Sequence, residues 1–325
     1  MLSILSVTFP FFALVLCGYL AARARWLPLD AVPGLNLFVL YFALPCMLFR
    51  FGSTTPLWQL FNPMIALVWL LCAALIVAAI TAYARRQGAT WPNAAMGALV
   101  AAFPNSGFMG VPLILALLGE RGVGPVMATV MIDMVVTTSV CIGLSQLGAS
   151  HAGGPGSAQA VQRALKGMLR NPLPWSILLG AAWGAAGGVL WAPLGKTVQL
   201  LADAASPVAL FTIGAVLARS QLQLAVRGEG SGVHATQRDV GVIVLTKLAL
   251  HPALVAAVGW AAVAAGALAP PAYTALVLTA ALPAASNVSL LAERFGADNG
   301  RIARVILWST AVAFFSFSAV VALVR

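Results

Sequence analysis

Two short stretches carry the residue types that could do chemistry. They are Phe103-Pro104-Asn105-Ser106-Gly107 and Leu282-Pro283-Ala284-Ala285-Ser286-Asn287. Each sets a proline beside a hydroxyl and an amide inside a long apolar run. Proline has no N–H and its ring clashes with the carbonyl one turn back, so a regular helix should break at Pro104 and Pro283. In hydrocarbon such a break is tolerated only where it is buried in protein or lines a watery cavity. A half-helix that resumes after the break offers free N–H groups and a favourable dipole to an anion. Asn105 and Asn287 can donate and accept there, Ser106 and Ser286 add hydroxyls, and Gly107 allows close backbone approach. The chemistry this suits is reversible binding of a small anion. The alternative is that both prolines only kink packed helices.

Asp133 is the most deeply placed acid. A carboxylate inside a span is expensive unless it is protonated, paired or facing water, which makes it a candidate for a coupling or substrate-facing group. The competing reading is a protonated acid bonded to a neighbouring carbonyl. Lys247, a couple of turns into its span, reads as a side chain that snorkels to the cytoplasmic interface. Asp203 reads as a wetted helix-end residue, and His251-Pro252 as structural. His151, His234 and His251 show no metal-ligand spacing, and no metal or other cofactor is expected. Cys17, Cys46, Cys72 and Cys141 fall inside apolar runs and read as unpaired small apolar residues. There is no nucleophile elbow, phosphate-binding loop or HExxH motif, and the chain does not read as an enzyme.

The elements that must position these residues follow from composition. Of 325 residues, 61% are hydrophobic and 8% charged. Repeated apolar runs of about 20 residues, each long enough to cross a bilayer core, predict an all-α polytopic membrane protein. Ten spans are predicted, at roughly 3–22, 33–51, 63–84, 92–118, 122–147, 171–190, 197–218, 240–266, 271–293 and 300–324. No cleavable signal peptide is expected, because Arg23 and Arg25 follow the first apolar run where a cleavage site would stand. Thirteen Lys and Arg, including Arg85, Arg86, Arg294, Arg301 and Arg304, fall in odd-numbered loops, against four in the even loops and tails. This places the odd loops in the cytoplasm and both termini outside. The net charge of +10 is therefore a topology signal and not a nucleic-acid footprint.

Residues 148–170 form a Gly- and Pro-containing cytoplasmic linker, within which Val161–Arg170 has the spacing of a short amphipathic helix. Gly228, Gly230 and Gly232 mark a second flexible connection. The linker divides the spans five and five, into 1–147 and 171–325. An odd number per half forces the halves to be inverted relative to one another. Leu117-Leu118-Gly119-Glu120-Arg121 after the fourth span is matched by Leu290-Leu291-Ala292-Glu293-Arg294 after the ninth, and Pro45 by Pro207. Broken spans 4 and 9 should then cross near the bilayer centre.

With Phe103-Pro104-Asn105-Ser106-Gly107-Phe108-Met109-Gly110-Val111-Pro112, Ala281-Leu282-Pro283-Ala284-Ala285-Ser286-Asn287 and Tyr41-Phe42-Ala43-Leu44-Pro45, the chain resembles the auxin efflux carrier family. The resemblance covers essentially the whole chain. It implies two inverted five-helix repeats, similar to bile-acid symporters and sodium/proton antiporters. Spans 1, 2, 6 and 7 would form a scaffold, usually dimeric, and spans 3–5 and 8–10 a transport domain. Carried over by position, Asn105 and Asn287 would contact substrate, and Pro104 and Pro283 would mark the crossover. Asp133 departs from the pattern, standing about where plant carriers have a Gln.

The expected function is secondary or facilitative transport of a small organic anion across the bacterial inner membrane, by elevator-type alternating access. The substrate would be a malonate- or malate-like dicarboxylate or an auxin-like acid. Cation-coupled transport on the same fold is the alternative, and an intramembrane enzyme or sensor a more distant one. The expected partners are the substrate, the bilayer and a second copy of the chain.

Overall fold

The computed structural model describes residues 2–147, 172–227 and 237–324. The linker, its amphipathic stretch Val161–Arg170, His151, His234 and the Gly228–Gly232 connection lie outside the described residues. The regular elements among the described residues are all helices, without a strand. The helices are α1 (Leu2–Arg23), α2 (Val32–Thr54), α3 (Pro63–Arg86), α4 (Trp91–Ala102), α5 (Ser106–Leu118), α6 (Glu120–Ser145), α7 (Pro172–Ala185), α8 (Ala192–Arg227), α9 (Gln237–Ala264), α10 (Pro270–Ala280), α11 (Val288–Arg294) and α12 (Asn299–Val324). Among the described residues, six segments are long and apolar enough to cross a membrane: Val32–Thr54, Trp58–Arg86, Glu120–Ser145, Ala192–Arg219, Gln237–Ala264 and Asn299–Val324. The protein is a multi-pass helical membrane protein.

Prolines set much of the local structure. Pro92 and Pro270 sit in the first turns of α4 and α10, where no intrahelical N–H is needed. In α2 the Leu44 N–H reaches back five residues to the Val39 carbonyl, and in α9 the His251 N–H does the same to Thr246. These two π-helical turns, and another at Ser106–Gly110 in α5, each end two residues before a proline: Pro45, Pro252 and Pro112. The ladder shifts by one residue just before the position that cannot donate. A fourth π-turn among the described residues, Asp133–Thr137 in α6, has no proline after it. Turns of that kind gather at functional sites. Pro207 lies within the unbroken α8, so it does not act on its helix as Pro45 does. The segment expected at 171–190 is helical only to Ala185, and Gly187 turns the chain at φ +67°.

The chain divides into two compact units. The first comprises residues 1–62, 107–128 and 171–230. Its helices meet at glycines. A Cβ on Gly18 would run into the Phe211 carbonyl, and one on Gly214 into the Val15 carbonyl, so α1 and α8 touch backbone to backbone. Gly180 and Gly184 of α7 likewise face the carbonyls of Phe49 and Ser53 in α2. With no water to squeeze out, such close approach is what membrane helices gain by association.

The second unit comprises residues 63–106, 129–170 and 231–325. At its centre is α4, whose residues Ala94 through Ala102 are all buried. A helix apolar on every side is stable only when surrounded. It packs against α3 and against the Thr138–Ser145 part of α6, while α9 packs against α3, α10 and α12.

Candidate functional site

The second unit holds both helix breaks. Helix α4 stops at Ala102, and α10 stops at Ala280. The exposed backbone groups find each other. The Asn105 N–H donates to the Pro283 carbonyl at 2.8 Å, and the Ala285 N–H donates to the Phe103 carbonyl at 3.0 Å. Pro104 and Ala284 form an antiparallel bridge, and the Ala284 N–H is taken by Ser309 Oγ of α12 at 3.2 Å. Two strand-like crossings thus replace the helical ladder that proline removed, as burial of backbone polar groups demands.

What this pairing leaves over is side-chain polarity. Asn105 is 3% exposed, and its buried Oδ1 has no hydrogen-bond partner. Ser106 is fully buried, with its hydroxyl 3.4 Å from the Pro104 carbonyl. Ser286 and Asn287 follow directly on Ala285 and are half-buried. Asn287 occupies the cap position of α11 without a side-chain capping bond. The first N–H groups of α11, from Val288 and Ser289, turn back to the carbonyls of Ala285 and Ser286 at 3.3 Å. Polarity at the crossing therefore rests more on the amides and hydroxyls than on a bare helix end. Gly107 groups with the first unit and is not among the residues assembled here.

A second buried polar cluster lies in the same unit. Asp133, fully buried on its π-turn, accepts from Trp69 Nε1 at 3.0 Å and from Thr137 Oγ1 at 2.9 Å, both at Oδ1. Oδ2 is buried without a partner. The competing picture of an acid bonded to a carbonyl is not what the side chain does.

Lys247 requires a correction. It does not snorkel; it is 0% exposed. Its Nζ donates to the Ala280 carbonyl at 2.8 Å and lies 3.0 Å from His251 Nδ1. The π-turn rotates it inward, and the C-terminal carbonyl of α10 gives the ammonium a partner that lipid cannot. His251 is also fully buried, its ring tilted at 52° against Trp69 at a centroid distance of 5.5 Å. Because an ammonium only donates, His251 Nδ1 accepts from it, and Nε2 carries the ring proton; Nε2 has no partner. Lys247 and Asp133 lie within electrostatic reach of one another without a direct ion pair.

The position of Arg301 also differs from its place among the loop charges. It is buried in the first turn of α12, its Nε bonded to Asp239 of α9 and a terminal nitrogen to the Asn93 carbonyl of α4 at 2.8 Å. Asp203 is exposed and pairs with Arg50 at 3.1 Å. The four cysteines are free thiols. An apolar cavity of about 620 Å³ lies between α3 and α6, with Val77, Val140 and Leu144 on its walls and Arg85 and Trp91 among its lining residues. Of the residues singled out above, it holds only Arg85, together with Thr137 from the Asp133 cluster.

A multi-pass helical protein whose paired helix breaks bury polar side chains belongs to the class of membrane transporters. The family model described as membrane transport protein matches residues 3–321, and the chain belongs to that family, the auxin efflux carriers. It is 30% identical over 333 residues to a Rhizobium meliloti (strain 1021) protein named "Putative malonate transporter", covering 100% of this chain and 97% of that one. It is 26% identical over 292 residues to an Escherichia coli (strain K12) protein named "Uncharacterized transporter YfdV", covering 88% and 86% respectively. Family and relatives carry the names of transporters and not of enzymes.

Proposed function

We propose that this protein is a secondary or facilitative transporter of a small organic anion, with a malonate-like dicarboxylate as its leading substrate class. The observation that carries the reading is the crossing itself. Asn105 is buried beside it with an amide that makes no hydrogen bond among the described residues. No hydrogen bond among the described residues fixes that amide, so it can turn its N–H donors to a carboxylate. Ser106, Ser286 and Asn287 supply the neighbouring polar groups, and Pro104 and Pro283 hold the backbone open. The name of the Rhizobium meliloti relative supports a dicarboxylate.

In this reading the chain forms ten spans in two inverted repeats, as an inner-membrane homodimer with both termini periplasmic. Spans 1, 2, 6 and 7 act as scaffold, and spans 3–5 and 8–10 as transport domain, in elevator-like alternating access. The test is flux into proteoliposomes of purified protein, against a panel of mono- and dicarboxylates. Uptake or exchange of at least one acid, lost in Asn105→Ala, is expected. If no acid in the panel moves, the reading fails.

A further inference from the structure

A carrier for an anion must place a positive charge near it or leave the anion's charge uncompensated in a low-dielectric interior. Among the described residues, the crossing segments Phe103–Ser106 and Leu282–Asn287 carry no cation. The nearest structural link to one is Lys247, whose ammonium holds the Ala280 carbonyl, three residues before Pro283. That charge is opposed by Asp133, whose Oδ1 is occupied by two donors while Oδ2 is buried and unpaired. With Asp133 ionised and Lys247 charged, the cluster is neutral overall. A proton from water, added at Oδ2, turns the carboxylate into a carboxylic acid and leaves the cluster with one net positive charge. A net charge on fully buried groups is costly unless an opposite charge arrives with it.

The surrounding groups do not supply that opposite charge. Helix α9 contributes His251, which accepts from Lys247, and Asp239, which is committed to Arg301 two turns away. Helix α6 contributes Cys141 beside Asp133. Helix α3 contributes Trp69, which does not titrate. Helix α4 has no charged residue, and α10 carries only Tyr273, packed beside Gly259. Helix α12 has Arg301 and Arg304 in its first turns, both of the wrong sign to compensate a cation.

We propose that Asp133 and Lys247 form the coupling pair of this transporter, so that the crossing takes up an organic anion together with one proton at Asp133 Oδ2. The inference rests on the anion-transport reading above and adds its driving ion. Because the protonated cluster and the bound anion each stabilise the other, anion affinity rises when Asp133 is protonated, and the same linkage makes anion binding recruit the proton. On the release side the carboxylic acid returns its proton to water and the neutral pair is restored. Lys247 acts as a positioning residue, since it ties the pair to the end of α10.

The experiment uses the full-length protein in proteoliposomes, with radiolabelled malonate and a pH gradient acidic on the malonate side. Wild type should accumulate malonate above the level reached without a gradient. Asp133→Asn, a permanent mimic of the protonated state, should keep malonate exchange but lose the response to the gradient. Lys247→Met should weaken malonate binding by about tenfold or more, equivalent to at least one buried charge interaction. The double variant restores a neutral cluster and should recover exchange relative to Lys247→Met alone, which a merely structural lysine would not allow.

Gradient-driven accumulation by Asp133→Asn, or wild-type affinity in Lys247→Met, overturns the proposal. A second measurement needs no substrate. Infrared difference spectra of the protein on acidification should show the carbonyl stretch of a newly protonated carboxylic acid, absent in Asp133→Asn and shifted in Thr137→Val, which removes one donor to Oδ1. Identical spectra in wild type and Asp133→Asn overturn the coupling pair even if no acid is transported. Failure of the whole carboxylate panel with this spectral difference present overturns the substrate reading alone.

Discussion

Truncating Arg301 to Met should destabilise the protein by about 3 kcal/mol, most of it recovered when Asp239 is neutralised as well. The pair joins α12 to α9, with side chains 5% and 17% exposed, and Arg301 also donates to the Asn93 carbonyl at 2.8 Å. Removing one member of a buried pair costs about 3–5 kcal/mol, because it strands the other charge. Asp239 is the wetter partner, which argues for the lower end of that range. The lost bond to Asn93 adds little, since that carbonyl sits in the first turn of α4 and can keep a helical partner. Asp239→Asn alone should cost about 2–3 kcal/mol by the same reasoning. The double variant Arg301→Met/Asp239→Asn should cost distinctly less than the sum, with a coupling energy of about 1–3 kcal/mol. The assay is chemical denaturation in detergent micelles, followed by loss of helical circular dichroism and by gel filtration. Additivity of the two single variants to within about 0.5 kcal/mol would refute the argument. So would a stability of Arg301→Met equal to wild type. Gly97→Ala offers an independent check, since its new methyl would sit 2.9 Å from a guanidinium nitrogen of Arg301, and only a shift of that side chain admits it.

Three further outcomes follow from the packing and the polar groups. Asn105→Ala should abolish carboxylate flux while leaving thermal stability unchanged or slightly raised, because a buried polar atom without a partner contributes nothing to folding; a clear loss of stability would show that the amide has a structural role. Gly214→Val should destabilise by more than about 3 kcal/mol, since the obstacle is the Val15 carbonyl and backbone cannot rotate aside as a side chain does; expression and melting of Gly214→Ala and Gly214→Val together test this, and wild-type melting of both would refute the close contact. Thr137→Val removes a hydroxyl that donates to the ionised Asp133, so the pH profile of uptake should move to higher pH with little change in the maximal rate; an unmoved profile would separate Thr137 from the coupling step.

Much of the candidate site was legible in the chain because proline and intramembrane polarity act locally. Pro104 and Pro283 stop their helices through a missing N–H and a ring clash, and neither effect depends on what lies across the membrane. Asp133 stood out because a carboxylate in an apolar run has few tolerable surroundings. Lys247 was misread because its distance from the end of its run fits snorkelling equally well. The direction it faces is set by a π-turn that sequence periodicity does not reveal. A hint was present in His251, four residues on, which shares a helix face with Lys247 and would be poorly placed against lipid. Arg301 was misread for a different reason. Counting charges in loops assigns every arginine near a span end to solvent, and its partner Asp239 is 62 residues away in sequence.

The crossing and the Asp133 cluster solve opposite halves of one physical problem. At the crossing, three backbone N–H groups find partners across the break: Asn105 at Pro283, Ala285 at Phe103 and Ala284 at Ser309. The buried Oδ1 of Asn105 takes no part in that pairing, and in the function proposed above the substrate completes it. In the Asp133 cluster the reverse holds. Trp69, Thr137 and the Ala280 carbonyl fix the orientations of the two charged side chains, yet Oδ2 of Asp133 and Nε2 of His251 remain without partners. A structural ion pair would have closed into direct contact and filled those positions. In the coupling proposed above, keeping the two charges apart and incompletely bonded makes the state of the cluster sensitive to a single proton. The hydrogen bond from Lys247 to the Ala280 carbonyl, three residues before Pro283, links the two arrangements. In that proposal a change of charge at Lys247 or Asp133 is felt at the end of the half-helix that forms one side of the crossing.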